Sequence, residues 1–155
     1  MGKQLKALAG HRGTVYCLQF DRAGRRLFSG ADDANVKVWD AQSGRLLRTL
    51  RGHTREITDL TLNGANTLLA TSSNDGLVRI WRARGSYAPV ACLSGHTGVA
   101  TTVSFCPDPD KRLLLSTDAH GDWLLWSTRS WAPLFSSRPA TASTASHTGT
   151  TSAAG

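Results

Sequence analysis

The sequence predicts an all-β protein in which three four-stranded antiparallel sheets follow one another along the chain. A Gly-His pair recurs at residues 10–11, 52–53 and 95–96, at spacings of 42 and 43 residues. Trp39, Trp81 and Trp126 close the three units, 28, 28 and 30 residues after the respective histidines. Within each unit apolar and polar residues alternate in short runs such as VKVW and VRIW, which is the two-residue period of a strand.

Four short runs bounded by Gly, Asn, Asp or Pro predict the strands of each unit. In the first unit they are TVYCLQF, RLFSGA, NVKVW and RLLRTL. In the second they are ITDLTL, LLATSS, LVRIW and PVACL. In the third they are ATTVSF, RLLLST, WLLW and APLF, and the segment PDPDKR lengthens one turn.

The first strand of each unit carries apolar residues at matching positions. They lie four, seven and nine residues after the repeat histidine. The three sets are Val15, Leu18, Phe20; Ile57, Leu60, Leu62; and Ala100, Val103, Phe105. Because the three copies agree position by position, the units are predicted to share one architecture.

The Gly-His pair, the complete Trp39-Asp40 dipeptide and the period near 43 residues resemble the WD-repeat β-propeller family over residues 4 to about 136. The resemblance implies that each unit is one propeller blade, pinned by a hydrogen-bonded tetrad of His, Ser or Thr, Asp and Trp. The first two tetrads would be His11, Ser29, Asp33, Trp39 and His53, Thr71, Asp75, Trp81. A buried imidazole or indole that lacks a partner costs about 1–3 kcal/mol, so such tetrads should hold the strands together.

The third tetrad is predicted to be incomplete. His96, Ser116 and Trp126 occupy its family positions, but His120 stands at the position of the aspartate. Without a carboxylate the His96 imidazole would be held less firmly, so blade three is predicted to be the least stable.

The domain boundaries follow from the repeats. Residues 11–51, 52–94 and 95–136 form blades one, two and three, and residues 1–10 are predicted to be the outer strand of a preceding or closing blade. Residues 137–155 contain fourteen Ser, Thr or Ala among nineteen residues and are predicted to be a disordered tail without assigned function. Closed propellers need about four to eight blades. The chain is therefore expected to form an open arc, either as a fragment or as a piece completed by self-association or by another chain.

The amino-acid sequences of the first two units also resemble the N-terminal propeller of the bromodomain and WD-repeat proteins. The segments are GHRGTVYCLQFDRAGRRLFSGADDANVKVWD and LRGHTREITDLTLNGANTLLATSSNDGLVRIW. This resemblance implies a non-catalytic interaction scaffold with a role in chromatin and transcription regulation, located in the nucleus or alternatively in the cytoplasm. Association with histones would come through a larger parent protein, because the sequence contains no bromodomain. The alternatives are a WD-repeat adaptor or substrate receptor of another assembly, such as a cullin-RING ubiquitin ligase, and an enzyme that carries a propeller domain.

Two groups of residues are candidate partner contacts. Arg12, Tyr16, Arg55 and Glu56 flank the loops after Gly-His, where the resemblance places one rim of the propeller channel. Arg84 and Arg129 lie three residues after Trp81 and Trp126, at the position where some family members contact the adaptor of a ubiquitin ligase. A solvated turn arginine is the competing interpretation for these two residues.

Composition limits the remaining possibilities. The 155 residues include 18 basic and 11 acidic side chains, which give a net charge of +7, and the length fits one domain. No run approaches the eighteen apolar residues that a membrane helix requires, so no membrane partner is predicted. The whole positive excess lies in residues 1–84, which indicates either a solvated basic surface or a patch for nucleic acid or an acidic protein.

The sequence predicts no catalytic, metal or cofactor site. The repeat histidines recur with the blades, which favours a structural role. Cys17, Cys92 and Cys106 are odd in number, far apart and without a Cys-x-x-Cys pair, which indicates a reducing compartment and no zinc site. The sequence also lacks a phosphate-binding glycine loop, a Gly-x-Ser-x-Gly motif and a His-Glu-x-x-His motif.

Overall fold

The computed structural model describes residues 7–138, which contain twelve β-strands and no α-helix. The first sheet comprises β1 (Val15–Phe20), β2 (Arg26–Ala31), β3 (Val36–Asp40) and β4 (Leu46–Leu50). The second comprises β5 (Ile57–Leu62), β6 (Leu68–Ser73), β7 (Val78–Arg82) and β8 (Pro89–Leu93). The third comprises β9 (Ala100–Phe105), β10 (Leu113–Asp118), β11 (Trp123–Ser127) and β12 (Pro133–Ser136).

Each sheet is an antiparallel meander in which consecutive strands are neighbours. The prediction of an all-β fold with three four-stranded antiparallel sheets is therefore confirmed. Because consecutive strands alternate in direction, the connecting loops fall at two ends of the sheets. The Gly-His end carries the loops at residues 7–14, 32–35, 51–56, 74–77, 94–99 and 119–122. The opposite end carries the loops at residues 21–25, 41–45, 63–67, 83–88, 106–112 and 128–132.

A β-bulge at the start of each first strand explains the unequal spacing of its apolar residues. In β1, Val15 pairs with Ala31 and Cys17 with Gly30, so two residues of β1 are matched by one step of β2. The same shift occurs at Ile57 in β5 and at Ala100 in β9. A bulge of this kind interrupts the strict alternation of side chains. It places the residues four, seven and nine positions after the histidine on one face of the sheet.

Two apolar cores join the three sheets. The first lies between sheets one and two and contains Phe28, Val36, Val38, Leu50, Ile57, Leu60, Leu62, Leu69, Trp81 and Ala83. The second lies between sheets two and three and contains Ala70, Val78, Ile80, Leu93, Ala100, Val103, Phe105, Leu114, Leu124 and Trp126. Sheet two is therefore covered on both faces, whereas sheets one and three each pack against a neighbour on one face. The arrangement is an open arc of three blades, as the sequence predicts.

Two predictions concern parts of the chain that lie largely outside the described residues. The outer strand predicted over residues 1–10 extends beyond them at residues 1–6, and residues 7–10 form no strand. The tail predicted over residues 137–155 lies outside them from residue 139 onward.

Among the described residues there is no helix with the length and apolar character to cross a membrane.

Candidate interaction surface and the tetrads that position it

The first tetrad forms a continuous hydrogen-bonded chain from Trp39 to Asp33. The Trp39 Nε1–H donates to Ser29 Oγ at 2.8 Å, and Ser29 Oγ lies 2.7 Å from His11 Nε2. His11 Nδ1 lies 3.1 Å from the Asp33 carboxylate. An indole can only donate and a carboxylate can only accept. The directions are thus fixed for a neutral imidazole: Nδ1–H donates to Asp33, and Ser29 Oγ–H donates to Nε2.

The second tetrad repeats this geometry at a more buried site. Trp81 Nε1–H donates to Thr71 Oγ1 at 3.0 Å, and Thr71 Oγ1 lies 2.9 Å from His53 Nε2. His53 Nδ1 lies 2.8 Å from Asp75 Oδ2, and only 1% of the histidine side chain is exposed. Burial lowers the pKa of His53 against the opposing effect of Asp75, which favours the neutral imidazole that this chain of hydrogen bonds needs.

The third tetrad contains all four residue types, including an aspartate, so the prediction that it lacks a carboxylate is wrong. Trp126 Nε1–H donates to Ser116 Oγ at 2.8 Å, and Ser116 Oγ lies 2.7 Å from His96 Nε2. Asp118, not His120, faces the imidazole, with Oδ2 at 3.4 Å from His96 Nδ1. This separation is an ion-pair distance, but Nδ1 has no hydrogen bond of good geometry. His120 is exposed and lies 3.4 Å from Thr97 Oγ1.

The position of Asp118 explains why the sequence pointed to His120 and why the contact between Asp118 and His96 is longer than in the other two tetrads. Asp118 follows His96 by 22 residues, as Asp33 follows His11 and Asp75 follows His53. The long PDPDKR turn moves Ser116 two residues further from its histidine, so a spacing counted from the serine points to His120 instead. Asp118 is the last residue of β10, whereas Asp33 and Asp75 lie in the turns that follow β2 and β6. Its carboxylate consequently approaches the imidazole from a different backbone position.

The glycine of each Gly-His pair allows the indole to lie close to the backbone. A Cβ at Gly10 or at Gly52 would lie 3.0 Å from the outermost ring carbon of Trp39 or Trp81. A Cβ at Gly95 would lie 3.0 Å from Leu124 and 3.2 Å from Trp126. These separations are shorter than nearly all real Cβ contacts, so only glycine fits here without displacing its neighbours.

The tetrad carboxylates also hold the loops of the Gly-His end. Asp33 Oδ2 accepts a hydrogen bond from the backbone N–H of Arg12 at 3.0 Å, and Asp75 Oδ2 accepts one from that of Thr54 at 3.1 Å. Burial acts to raise the pKa of Asp33 and Asp75, but these bonds and those from the histidines hold both pKa values below the ordinary range. Each of these two tetrads is therefore tied to the exposed residue that follows its histidine.

Four of the predicted contact residues lie together at the Gly-His end, in what we call the Tyr16 rim: Arg12, Tyr16, Arg55 and Glu56. Tyr16 is 57% exposed, and a hydrogen bond to Asp32 raises its phenol pKa. The Arg55 Nε lies 4.0 Å from Glu56 Oε2, which also accepts a hydrogen bond from Asn74 Nδ2 at 3.2 Å. The rim thus presents an exposed aromatic ring between acidic and basic groups.

The other two predicted contacts, Arg84 and Arg129, lie at the opposite end of the sheets, so the six residues do not form one site. Both are exposed, and they occupy the β7–β8 and β11–β12 loops of neighbouring blades. Arg84 borders an open cavity of about 320 Å³ that is also lined by Arg25 and Asp40. The predicted set therefore divides into two surfaces on opposite sides of the arc.

A polar contact between blades one and two is absent from the sequence predictions. Arg26 Nε donates to Asp21 Oδ2 at 3.0 Å, and its guanidinium also reaches the carbonyl oxygen of Ala83 and the hydroxyl of Tyr87 in the next blade. The Arg26 pKa is raised, since these hydrogen bonds outweigh the effect of burial. The only local sign of this contact in the sequence is Asp21, five residues before Arg26. The partners of Arg26 in blade two lie 57 and 61 residues further along the chain.

The described residues contain no cluster of three His, Cys, Asp or Glu side chains suited to a metal ion. The cysteines are free, and burial raises the pKa of Cys17 to about 12, which keeps its thiol protonated and unreactive at neutral pH. Cys92 is exposed and Cys106 is half-buried.

The fold and the tetrads together define a class of protein: an open β-propeller arc whose blades are each pinned by an internal His–Ser/Thr–Trp–Asp group. The family model described as "WD domain, G-beta repeat" matches residues 2–40, 44–82 and 87–127. The chain belongs to the WD40 repeat family.

The chain also resembles individual proteins. It is 47% identical over 123 residues to a bromodomain and WD repeat-containing protein of Dictyostelium discoideum, covering 76% of this chain and 6% of that protein. It is 40% identical over 45 residues to eukaryotic translation initiation factor 3 subunit I of Drosophila ananassae, covering 29% of this chain and 14% of that protein. The first match confirms the resemblance to bromodomain and WD-repeat proteins, and in both cases the chain spans a small part of its relative.

Solved structures share the same fold. U3-55K superposes with a TM-score of 0.80 at 22% identity, covering 84% of this chain and 41% of that chain. The RRP9 WD40 repeats superpose with a TM-score of 0.79 at 22% identity, covering 84% of this chain and 40% of that chain.

Proposed function

We propose that this chain is a non-catalytic scaffold that binds another protein at the Tyr16 rim. The proposal rests on the carboxylates of the first two tetrads, each of which makes two kinds of hydrogen bond. Asp33 and Asp75 each bind a buried histidine and, through a backbone N–H, the residue that follows this histidine. The exposed side chains that come next therefore lie on a backbone whose position is already fixed, so a partner loses little loop entropy on binding.

The chemistry of the rim favours a protein partner. Tyr16 offers a large ring at a low cost in side-chain entropy, and tyrosine and arginine are enriched among the residues that dominate protein interfaces. Arg12 and Arg55 can pair with carboxylates, while Asp32 and Glu56 can accept hydrogen bonds from a partner's donors. A peptide or domain with an apolar residue between charged groups matches this arrangement.

The relatives suggest where such a scaffold would act. The Dictyostelium relative is described as a bromodomain and WD repeat-containing protein, and the chain matches 6% of its length. Its likeness supports a role within a longer, chromatin-associated protein of the nucleus that takes part in transcription regulation. Histone binding in this proposal belongs to other parts of that longer protein, and the blades described here contribute the interaction scaffold.

A second function is favoured by Arg84 and Arg129. Both arginines are exposed at the same end of adjacent blades, on the side away from the Tyr16 rim. An adaptor protein of a cullin-RING ubiquitin ligase could contact them while a substrate binds the rim, since the two surfaces do not overlap. In this alternative the chain is a substrate receptor.

Affinity purification with the complete chain as bait distinguishes the two functions. We would compare wild type, Tyr16→Ala/Arg55→Ala, Arg84→Ala/Arg129→Ala and the control Arg48→Ala, which removes an exposed arginine from β4. Nuclear proteins recovered at least tenfold less with the rim variant alone would support the proposal. Loss of a cullin adaptor with the Arg84/Arg129 variant would support the alternative. Equal recovery of every binding protein by all four baits would contradict both.

A further inference from the structure

The charged residues of the loops are divided unequally between the two ends of the sheets. The six loops at the Gly-His end contain three arginines and five acidic residues. The six loops at the opposite end contain seven basic and three acidic residues. Most of the positive excess of residues 1–84 therefore lies at the end away from the Tyr16 rim.

Five exposed arginines at this end of blades one and two form what we call the basic patch: Arg22, Arg25, Arg45, Arg82 and Arg84. Arg25 and Arg84 border the same open cavity of about 320 Å³, together with Asp40. Hydrogen bonds from Ser43 and the charge of Arg45 lower the pKa of Asp40, so Arg45 lies near the edge of this cavity. The patch thus joins arginines from two blades around one opening.

The contact of Arg26 with blade two holds the two sides of the patch together. Arg26 pairs with Asp21 at 3.0 Å, and its guanidinium also donates to the carbonyl oxygen of Ala83. Arg25 directly precedes Arg26, and Arg84 directly follows Ala83. A partly buried polar contact therefore fixes the β1–β2 and β7–β8 loops beside each other, and each loop presents an exposed arginine next to that contact.

The charge of the basic patch is not balanced by carboxylates. Among the described residues, none of its five arginines makes a salt bridge. The two acidic residues at this end of blades one and two have other partners. Asp21 pairs with Arg26, and Asp40 accepts hydrogen bonds from the backbone N–H and the hydroxyl of Ser43 at 2.7 and 2.6 Å.

Stacking of further blades does not cover such a patch. The joint between blades one and two buries the faces of the sheets, yet Arg25 and Arg84 on its two sides stay exposed. The loops lie at the ends of the strands and not on the faces that blades use to pack. The exposure of the patch is therefore independent of the number of blades in the whole protein.

The density of positive charge favours a nucleic acid over an acidic protein. Duplex DNA carries one negative charge per about 1.7 Å of its axis, whereas an extended peptide carries at most one per about 3.3–3.6 Å. The guanidinium group also matches phosphate oxygens in a bidentate geometry. Tyr87 and Trp131, the aromatic residues of the loops at this end, are half-buried, so these loops offer no exposed ring on which unpaired bases stack. These features together favour the backbone of a duplex.

We propose that the basic patch binds the phosphate backbone of duplex DNA without reading its base sequence. This activity goes beyond the proposed function, and only the choice of DNA over RNA rests on the chromatin-associated role proposed there. The excess of acidic residues at the Gly-His end repels DNA, so the Tyr16 rim faces away from the duplex and stays available to a protein partner. Arg84 also belongs to the alternative adaptor surface, so DNA and a ligase adaptor would compete for it.

Fluorescence anisotropy with the complete chain and a labelled duplex of about 20 base pairs tests the proposal at about 50 to 200 mM salt. Wild type should bind with a Kd of about 1–100 μM near physiological salt. Arg25→Gln/Arg45→Gln should bind about tenfold more weakly, and the slope of log K against log salt concentration should become shallower by about 2, because two phosphate contacts are lost. This variant keeps Arg84, so its effect is separate from the adaptor surface.

Arg48→Gln/Arg51→Gln is the matched control, because it removes the same charge from two exposed positions outside the basic patch. It should weaken binding by less than about threefold and leave the salt dependence unchanged. Circular dichroism of both variants would check that the strands still form. Equal losses of affinity in the two variants would overturn the proposal, since net charge alone would then account for binding.

Other ligands test the class of partner. Absence of binding to the duplex at about 50 mM salt would overturn the proposal. Tighter binding of duplex RNA or of single-stranded DNA of the same length would do so too, as would equal affinity for a polyglutamate peptide. Tyr16→Ala should leave DNA binding unchanged. Affinity purification from nuclease-treated extract tests the rim separately, so either proposal can fail while the other stands.

Discussion

At the scale of single residues, each tetrad depends on its serine or threonine. This hydroxyl alone contacts both the imidazole and the indole, as Thr71 does with His53 at 2.9 Å and with Trp81 at 3.0 Å. Its removal would leave two buried polar groups unpaired at once. The histidine and tryptophan that mark the repeat in the sequence are therefore held by a smaller residue between them.

Thr71→Val keeps the shape of the side chain and removes the hydroxyl. Two unpaired buried groups at about 1–3 kcal/mol each should lower the free energy of unfolding by at least about 2 kcal/mol. Urea denaturation followed by tryptophan fluorescence measures the change. Thr54→Val, at an exposed position, is the control and should change it by less than about 0.5 kcal/mol. Equal stabilities of the two variants would contradict the tetrad assignment.

Asp118→Asn tests the corrected third tetrad. Asp118 is buried and accepts hydrogen bonds from the backbone N–H groups of His120 and Asp122 at 2.9 and 3.0 Å. Loss of its charge should lower the free energy of unfolding by about 1–3 kcal/mol, because charge-assisted bonds to buried groups weaken. His120→Ala should change it by less than about 0.5 kcal/mol, since that side chain is exposed. A larger loss for His120→Ala in the same denaturation experiment would restore the sequence-based assignment.

The pKa shifts predict a loss of stability on acidification. Burial lowers the pKa of His53 and of His96 from 6.5, so the unfolded chain takes up protons at a higher pH than the folded chain does. The free energy of unfolding should therefore fall as the pH drops below about 6.5. The Asp33, Asp75 and Asp118 pKa values lie below 3.8, so a second fall should begin below about pH 4.

Urea denaturation across this range of pH tests the direction of both effects. His53→Gln should reduce the first fall, because one of the two histidines that cause it is gone. Thr54→Val, which removes no titratable group from an exposed position, is the control and should leave the pH dependence unchanged. A free energy of unfolding that rises as the pH drops from about 7 to about 5 would have the wrong sign for neutral buried histidines.

Residues that keep every offset within the repeat can be assigned from the sequence, whereas residues beside an insertion or in contact with another blade cannot. His11, Ser29, Asp33 and Trp39 keep the same offsets as their counterparts in blade two, and the structure brings both sets together. Asp118 was missed because an inserted turn changed its distance from the serine while its distance from the histidine stayed the same. The contact of Arg26 with Tyr87 joins two blades, and no local pattern encodes such a distant pair.

At the scale of strands and sheets, the alternation of side chains and the turn residues predicted all twelve strands to within one residue at each end. The local pattern succeeds because apolar and polar residues alternate within the strands, and turn residues such as Gly, Asn, Asp and Pro stand between them. The bulges at Val15, Ile57 and Ala100 are harder to recognise in the sequence. Their only sign is that two successive apolar residues of the strand are three residues apart, where strict alternation would place them two apart.

Blade three should be the least protected of the three sheets. Its His96 Nδ1 lacks a hydrogen bond of good geometry, and every residue of its outer strand β12 is exposed. Hydrogen–deuterium exchange read by mass spectrometry should therefore show faster exchange in β10 and β11 than in β2 and β3, and the slowest in β6 and β7. Blade two is covered on both faces and serves as the internal reference. Equal protection of β10 and β6 would contradict this order.

At the scale of the whole molecule, the repeat gives the chain two unlike end faces and two unlike loop ends. The end faces carry Leu18 and Phe20 on one side and Leu115 and Trp123 on the other, all of them at least 40% exposed. The loop ends separate the Tyr16 rim from Arg84 and Arg129. The two loop ends are therefore different surfaces, and each can be altered by substitutions that leave the other intact.

In blades one and two, a directed chain of hydrogen bonds holds the histidine imidazole between an aspartate and a hydroxyl. Nitrogen-15 NMR of the histidine-labelled chain at about pH 7.5 reports the tautomer of each imidazole directly. His11 and His53 should both carry their proton on Nδ1, and that proton should exchange slowly with water. Protons on Nε2 at these two positions, or rapid exchange at Nδ1, would contradict the account.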